Sequence, residues 1–134
     1  MSTQSETVLT TLAAMLREVI GESWADDLAI ALADLGADVG VDLERVEARD
    51  ESFAATAFTA AERALIQPGD DEAEWLTRLW AAKEAAGKRA GTGLDGNPRK
   101  LPITDRTGAR LLCAGIWVET RRLGDHVIAW TVHS

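Results

Sequence analysis

The chain has one cysteine, Cys113, so no internal disulfide can form. That thiol sits in an apolar run, where a buried, inert sulfhydryl is the ordinary outcome and a nucleophile the rarer one. Histidine is nearly absent too. His126 and His133 stand far along the chain from its main acidic blocks, and no Cys/His spacing suits zinc. No apolar run reaches the roughly 20 residues that cross a bilayer, and residues 1–7 lack a basic segment before an apolar one. Neither a secretory signal nor a membrane anchor is expected, which leaves a cytoplasmic location. Positive charge is also short: 14 Lys and Arg against 22 Asp and Glu give a net charge of −8, which argues against non-specific nucleic-acid binding.

The charge deficit is local. Residues 1–82 hold 5 basic against 17 acidic residues, a net −12, whereas residues 83–134 hold 9 against 5, a net +4. The positive final third suits phosphates or an acidic protein partner, or is plain solvated surface. With 134 residues and 46% hydrophobic content, the chain has enough material for one soluble domain with a core.

Hydrophobic spacing organises the chain. Val8, Leu12, Met15, Leu16 and Val19 recur at helical intervals, predicting an amphipathic helix over 7–20 ended by Gly21. Residues 27–34 and 38–46 read as two strands around a turn at 35–38. Short helices are expected over 50–58 and 59–65, with Thr59 and Glu62 in a capping-box pattern. Pro68-Gly69 breaks the chain before the longest helix, 70–90, which has acids in its first turn and Lys88 and Arg89 in its last. A loop over 91–98 follows. Gly91, Gly93 and Gly96 come after a helix and do not open one, so they form no P-loop. Residues 100–104, carrying Pro102, read as an edge strand, and 111–120 and 126–132 as the last strands, joined near Gly124. The sum is an α+β fold: a long helix packed on a mainly antiparallel sheet, plus an extra N-terminal helix. The expected division is an N-terminal extension over 1–24 and a domain over 25–134.

Two acidic blocks carry the chemistry. In Gly40-Val41-Asp42-Leu43-Glu44, apolar and acidic residues alternate, so both carboxylates share one face of a strand about 7 Å apart. In Trp80-Ala81-Ala82-Lys83-Glu84-Ala85-Ala86-Gly87-Lys88, the residues Trp80, Glu84 and Lys88 form one row on a helix. If helix and strand pack together, three carboxylates and two lysines converge, a set suited to a hard divalent cation and a phosphorylated ligand. The plainer readings stay open: a wet strand face for Asp42 and Glu44, a surface ion pair for Glu84 and Lys88. Lys83 lies at the margin of the apolar stripe formed by Leu76, Leu79 and Trp80, where a lysine either snorkels to solvent or holds a buried phosphate. Trp80 reads as core. Trp24, Trp75, Trp117 and Trp130 form no base-stacking platform.

G-V-D-L-E, F-T-A-A-E-R-A-L at 58–65, and W-A-A-K-E-A-A-G-K together resemble the 4'-phosphopantetheinyl transferase superfamily in order and approximate spacing. The third block is the most specific, and the resemblance runs from about residue 28 to 132. It implies transfer of 4'-phosphopantetheine from coenzyme A to a serine of an apo acyl or peptidyl carrier protein, as in a holo-acyl-carrier-protein synthase. It implies Mg²⁺ held by Asp42, Glu44 and Glu84, phosphate contacts from Lys83 and Lys88, and catalytic roles for Glu84 and Lys88. Phe58 and Glu62 match the middle block and read as packing and capping residues.

The chain departs from the family pattern in two ways. It matches only the second half of the larger, two-half members; smaller members carry one half and assemble as trimers. The Ser-His dipeptide that helps hold the nucleotide is missing, since residues 21–27 contain no histidine. A homo-oligomer, dimer or trimer, is expected to complete the site. The alternative is a non-catalytic half-domain that binds coenzyme A or a carrier protein, or acts as an assembly module. The segment 8–21 also resembles the first helix of an acyl carrier protein, a likeness that amphipathic helices share by chance. Val39 stands where the carrier's modified serine would be.

Overall fold

The computed structural model describes residues 40–91 and 97–132. The helix expected over 7–20, the strand over 27–34, the turn at 35–38, the division at residue 24, the carrier-like segment and most of the 91–98 loop lie outside them. Among the described residues, five antiparallel strands form one sheet in the order β1-β5-β4-β3-β2. They are β1 (Val41–Arg45), β2 (Ile103–Thr107), β3 (Arg110–Cys113), β4 (Ile116–Leu123) and β5 (His126–Thr131). The helices are α1 (Glu51–Ala57), α2 (Ala60–Arg63) and α3 (Glu72–Ala90). The α+β reading, a long helix on an antiparallel sheet, is the architecture observed.

The helix α3 begins where Asp71 accepts a hydrogen bond from the Glu74 N–H at 2.9 Å. Glu72 and Glu74 then face its positive end, and Lys88 and Arg89 its negative end. Its sheet-facing side is built of small residues. Ala81, Ala82, Ala85 and Ala86 have no exposed surface, which lets the helix backbone settle close to the strands. Gly40, just before β1, makes the closest approach: a Cβ there would stand 1.8 Å from the Ala85 carbonyl oxygen. Only glycine fits. Its carbonyl accepts from the Thr131 N–H at 2.9 Å and its N–H donates to Thr131 Oγ1 at 3.0 Å, fixing β1 on β5.

Beneath α3, Leu79, Leu111, Val118, Val127 and Ala129 form the fully buried centre of the core, flanked by Phe58, Trp75 and Leu76. Cys113 belongs to the same core, and burial pushes its thiol up to about 12, so it stays protonated and inert. At α2 the capping box is present in both directions: Thr59 Oγ1 accepts from the Glu62 N–H, and Glu62 Oε1 accepts from the Thr59 N–H.

Two local expectations need correcting. The edge strand expected over 100–104 is present at the edge of the sheet but starts later, at Ile103, and runs on to Thr107. Asn97 caps a 3-10 turn over Pro98–Lys100, and β2 lies beyond Pro102. The run 111–120 is two strands, not one: Cys113 pairs with Ile116 across a two-residue turn, Ala114-Gly115. Both turn residues have positive φ, 49° and 79°, as a tight hairpin demands, and an alanine there gives no sequence signal.

Candidate functional site

The register of β1 on β5 decides which way the carboxylates face. Asp42 pairs with Ala129 and Glu44 with Val127, and directly opposed residues in an antiparallel ladder share a face. Ala129 and Val127 lie in the core under α3, so Asp42 and Glu44 point to the helix side of the sheet. They are not on a wet face. Asp42 is 6% exposed.

On α3, Glu84 and Lys88 stand one turn apart and face this strand. Lys88 Nζ lies 2.8 Å from Asp42 Oδ1 and donates to the Val41 carbonyl at 3.1 Å. The other oxygen of Asp42, Oδ2, is buried with no donor. Burial first, then a hydrogen bond to Asp42 and the charges of Asp42 and Glu84, push Glu44 from 4.5 up to about 8; Arg49 opposes them. Glu84 is also raised, by burial and then by the Asp42 charge, with Lys88 opposing. Three carboxylates and one ammonium therefore meet here, with negative charge in excess.

Lys83 does not join them. It follows round the helix by about 100° from Glu84. Its side chain has no exposed surface, and its Nζ is 2.7 Å from Glu62 Oε2 and donates to the Pro98 carbonyl at 2.8 Å. The ammonium also stands 5.6 Å from the centre of the Phe58 ring. Glu62 Oε2 accepts in addition from the Ile103 N–H at 2.8 Å. Burial alone would raise Glu62, but the bonds from Lys83, Ile103 and Thr59 and the ammonium's charge outweigh it and hold the carboxyl below its ordinary range. The phosphate contact expected of Lys83 is thus replaced by a structural one, because its side chain is fully buried and its ammonium is engaged by Glu62 and the Pro98 carbonyl. Glu62 is more than a cap: it is the counter-charge a buried lysine requires.

Oxygen ligands are what Mg²⁺ takes, and the donor-less Asp42 Oδ2 beside two carboxylates raised by its charge is a place a cation would satisfy. By donor chemistry the carboxylates suit a divalent ion. Among the described residues, however, no group of three or more His, Cys, Asp or Glu stands ready to hold one. Arg49 was not singled out by sequence. Its guanidinium lies 5.0 Å from the Phe53 ring centre, its Nε is buried without a partner, and its charge reaches Glu44.

Known structures share this fold. The crystal structure of holo-acyl-carrier-protein synthase from Thermotoga maritima is similar, with TM-score 0.57 and 22% identity over 69% of this chain and 60% of that one. The enzyme of the same name from Neisseria meningitidis matches with TM-score 0.56 and 20% identity, over 69% of this chain and 94% of that one. At these identities the likeness is one of fold, and this chain spans less than two thirds of the Thermotoga protein. No curated protein matches the sequence. The family match covers residues 38–131, which takes in all three sequence blocks and every described strand and helix. The chain belongs to the 4'-phosphopantetheinyl transferase superfamily.

Proposed function

We propose that this chain transfers 4'-phosphopantetheine from coenzyme A to a serine of an apo acyl or peptidyl carrier protein. The serine Oγ attacks the β-phosphorus, an Oγ–P bond forms, the pyrophosphate bond breaks, and adenosine 3',5'-bisphosphate leaves. Glu84, held above its ordinary range, accepts the serine proton. Asp42, Glu44 and Glu84 would hold Mg²⁺, which when bound supplies charge stabilisation for the pyrophosphate. Lys88, half-exposed at the edge of the pocket, contacts phosphate; Lys83 is fully buried and already paired with Glu62. Self-association into a dimer or trimer completes the site, and the location is cytoplasmic. Among the described residues, no helix is long and apolar enough to cross a membrane.

The observation that carries this reading is Asp42: a buried carboxylate with one oxygen donor-less, facing two further carboxylates. The test is mass spectrometry of an apo carrier protein incubated with the chain, coenzyme A and Mg²⁺. A phosphopantetheine adduct on the carrier serine is the expected result. No adduct, from a sample that light scattering shows to be assembled, would favour the second reading, a non-catalytic half-domain that binds coenzyme A or a carrier protein, or acts as an assembly module. That reading draws on the missing Ser-His dipeptide and the absence of a ready ligand set among the described residues.

A further inference from the structure

We propose that Lys88 is the resident cation of the carboxylate pocket, and that a divalent metal ion binds by displacing its ammonium from Asp42. This rests on reading Asp42, Glu44 and Glu84 as a cation-binding set.

The geometry argues for exchange. The Lys88 ammonium is held by two oxygens, Asp42 Oδ1 at 2.8 Å and the Val41 carbonyl at 3.1 Å, hard donors of the kind a divalent ion takes. While it sits there, one oxygen of the buried Asp42 carboxylate is committed. A single positive charge also leaves the pocket short. Asp42 Oδ2 is buried and has no donor. Two positive charges in its place would lift that imbalance.

Lys88 is also free to leave. Its side chain is 48% exposed, whereas that of Asp42 is 7% exposed, so the lysine can swing to water while the carboxylate stays. An ammonium on a four-carbon stem keeps its hydration when it moves out. Lys83, five residues earlier on the same helix and fully buried, has no such route. The displacement also has a use: the event that loads the metal frees a positive charge beside the phosphates the metal attracts. Metal and lysine then act in sequence and not side by side on one oxygen.

The test is Mn²⁺ binding without coenzyme A, read by electron paramagnetic resonance of the free ion, for the wild type, Lys88→Met and Asp42→Asn. Lys88→Met should bind Mn²⁺ at least about tenfold more tightly, as expected when a competing charge leaves a partly wet site. Asp42→Asn should lose binding. If the wild type binds and Asp42→Asn does not, but Lys88→Met binds no better than wild type, the exchange is wrong and the metal site stands. If none binds, or Asp42→Asn binds as wild type does, both readings fall. A measurement on the wild-type chain covers a misfolded variant: the Lys88 Cε resonance should shift during a Mg²⁺ titration in step with saturation. A resonance that stays put while the metal binds overturns the exchange.

Discussion

Two lysine–carboxylate pairs lie five residues apart on one helix, and they are built for opposite purposes. Glu62–Lys83 is closed. Its ion-pair distance is 2.7 Å, its side chains are 2% and 0% exposed, and both oxygens of Glu62 and the ammonium have further hydrogen-bond partners. Asp42–Lys88 is equally short at 2.8 Å, but the lysine is half-exposed, one aspartate oxygen has no donor, and two more carboxylates press on the pair. Pair distance does not separate them. Charge balance and the satisfaction of every oxygen do. A balanced, satisfied pair fixes the fold; an unbalanced one is where the proposed function puts the incoming ligand.

The sharpest way to break the comparison is to remove one lysine at a time. Lys83→Met leaves Glu62 charged in the interior, and breaking a buried pair in this way costs about 3–5 kcal/mol. That is a large share of the roughly 5–15 kcal/mol that holds a domain together. Replacing both partners with apolar residues should recover much of the loss. Lys88→Met should cost clearly less, because half of its side chain is already in water. Urea unfolding of the three variants measures this, and equal losses for Lys83→Met and Lys88→Met would erase the distinction.

The open pocket should respond to ligand where the closed pair cannot. With Mg²⁺ and coenzyme A at about 100 times their dissociation constant, binding to the native state alone adds about 2.7 kcal/mol. Asp42→Asn and Glu84→Gln should lose that gain, and Lys88→Met should lose the part due to phosphate. Glu62→Gln, once its lower starting stability is allowed for, should keep it. Thermal unfolding with and without ligand reads the difference. A gain that survives in Asp42→Asn means that the ligand sits elsewhere.

Gly40→Ala attacks the contact that brings the strand carboxylates to the helix. The new Cβ would press on the Ala85 carbonyl at 1.8 Å and the Arg89 nitrogen at 2.8 Å, both backbone atoms that cannot step aside. Overpacking of this kind costs about 1–3 kcal/mol. The strand should also move off the helix, so the metal-dependent gain should shrink together with the stability. Loss of stability with the full ligand response intact would show that the close approach serves packing alone.

What the sequence disclosed, and what it hid, follows from the range of each interaction. Alternation in 40–44 and the four-residue row of Trp80, Glu84 and Lys88 are local patterns, and each chose a face correctly. The capping box of Thr59 and Glu62 is local as well. The side of the sheet that Asp42 faces was open on alternation alone, because it depends on the pairing of Asp42 with Ala129, nearly the whole described domain away. Lys83 was assigned to phosphate for the same reason. Its partner Glu62 and the carbonyl of Pro98 reach it only through tertiary packing. The hairpin at Ala114-Gly115 was invisible because alanine at positive φ contradicts the usual turn chemistry, and only the register of β3 on β4 enforces it.

The remaining effect is one of slope. Glu44 is raised from 4.5 to about 8, so between those values the native chain binds a proton that the unfolded chain has released. Stability from this group is fully present below 4.5 and is lost as pH rises through about 8; Glu84 acts in the same direction. Glu62 runs the other way. Its carboxyl is lowered, so its contribution is present above the ordinary glutamate value and lost as the pH falls through the lowered native one. The two pairs thus pull the pH profile in opposite directions. Urea midpoints of the metal-free chain, taken from about pH 5 to about pH 8, should decline more steeply in wild type than in Glu44→Gln. Saturating Mg²⁺ should lift the alkaline end, because the ionised carboxylates are the form that binds it. If wild type and Glu44→Gln share one slope, Glu44 is not held protonated by its neighbours, and the pocket is less crowded with negative charge than its geometry implies.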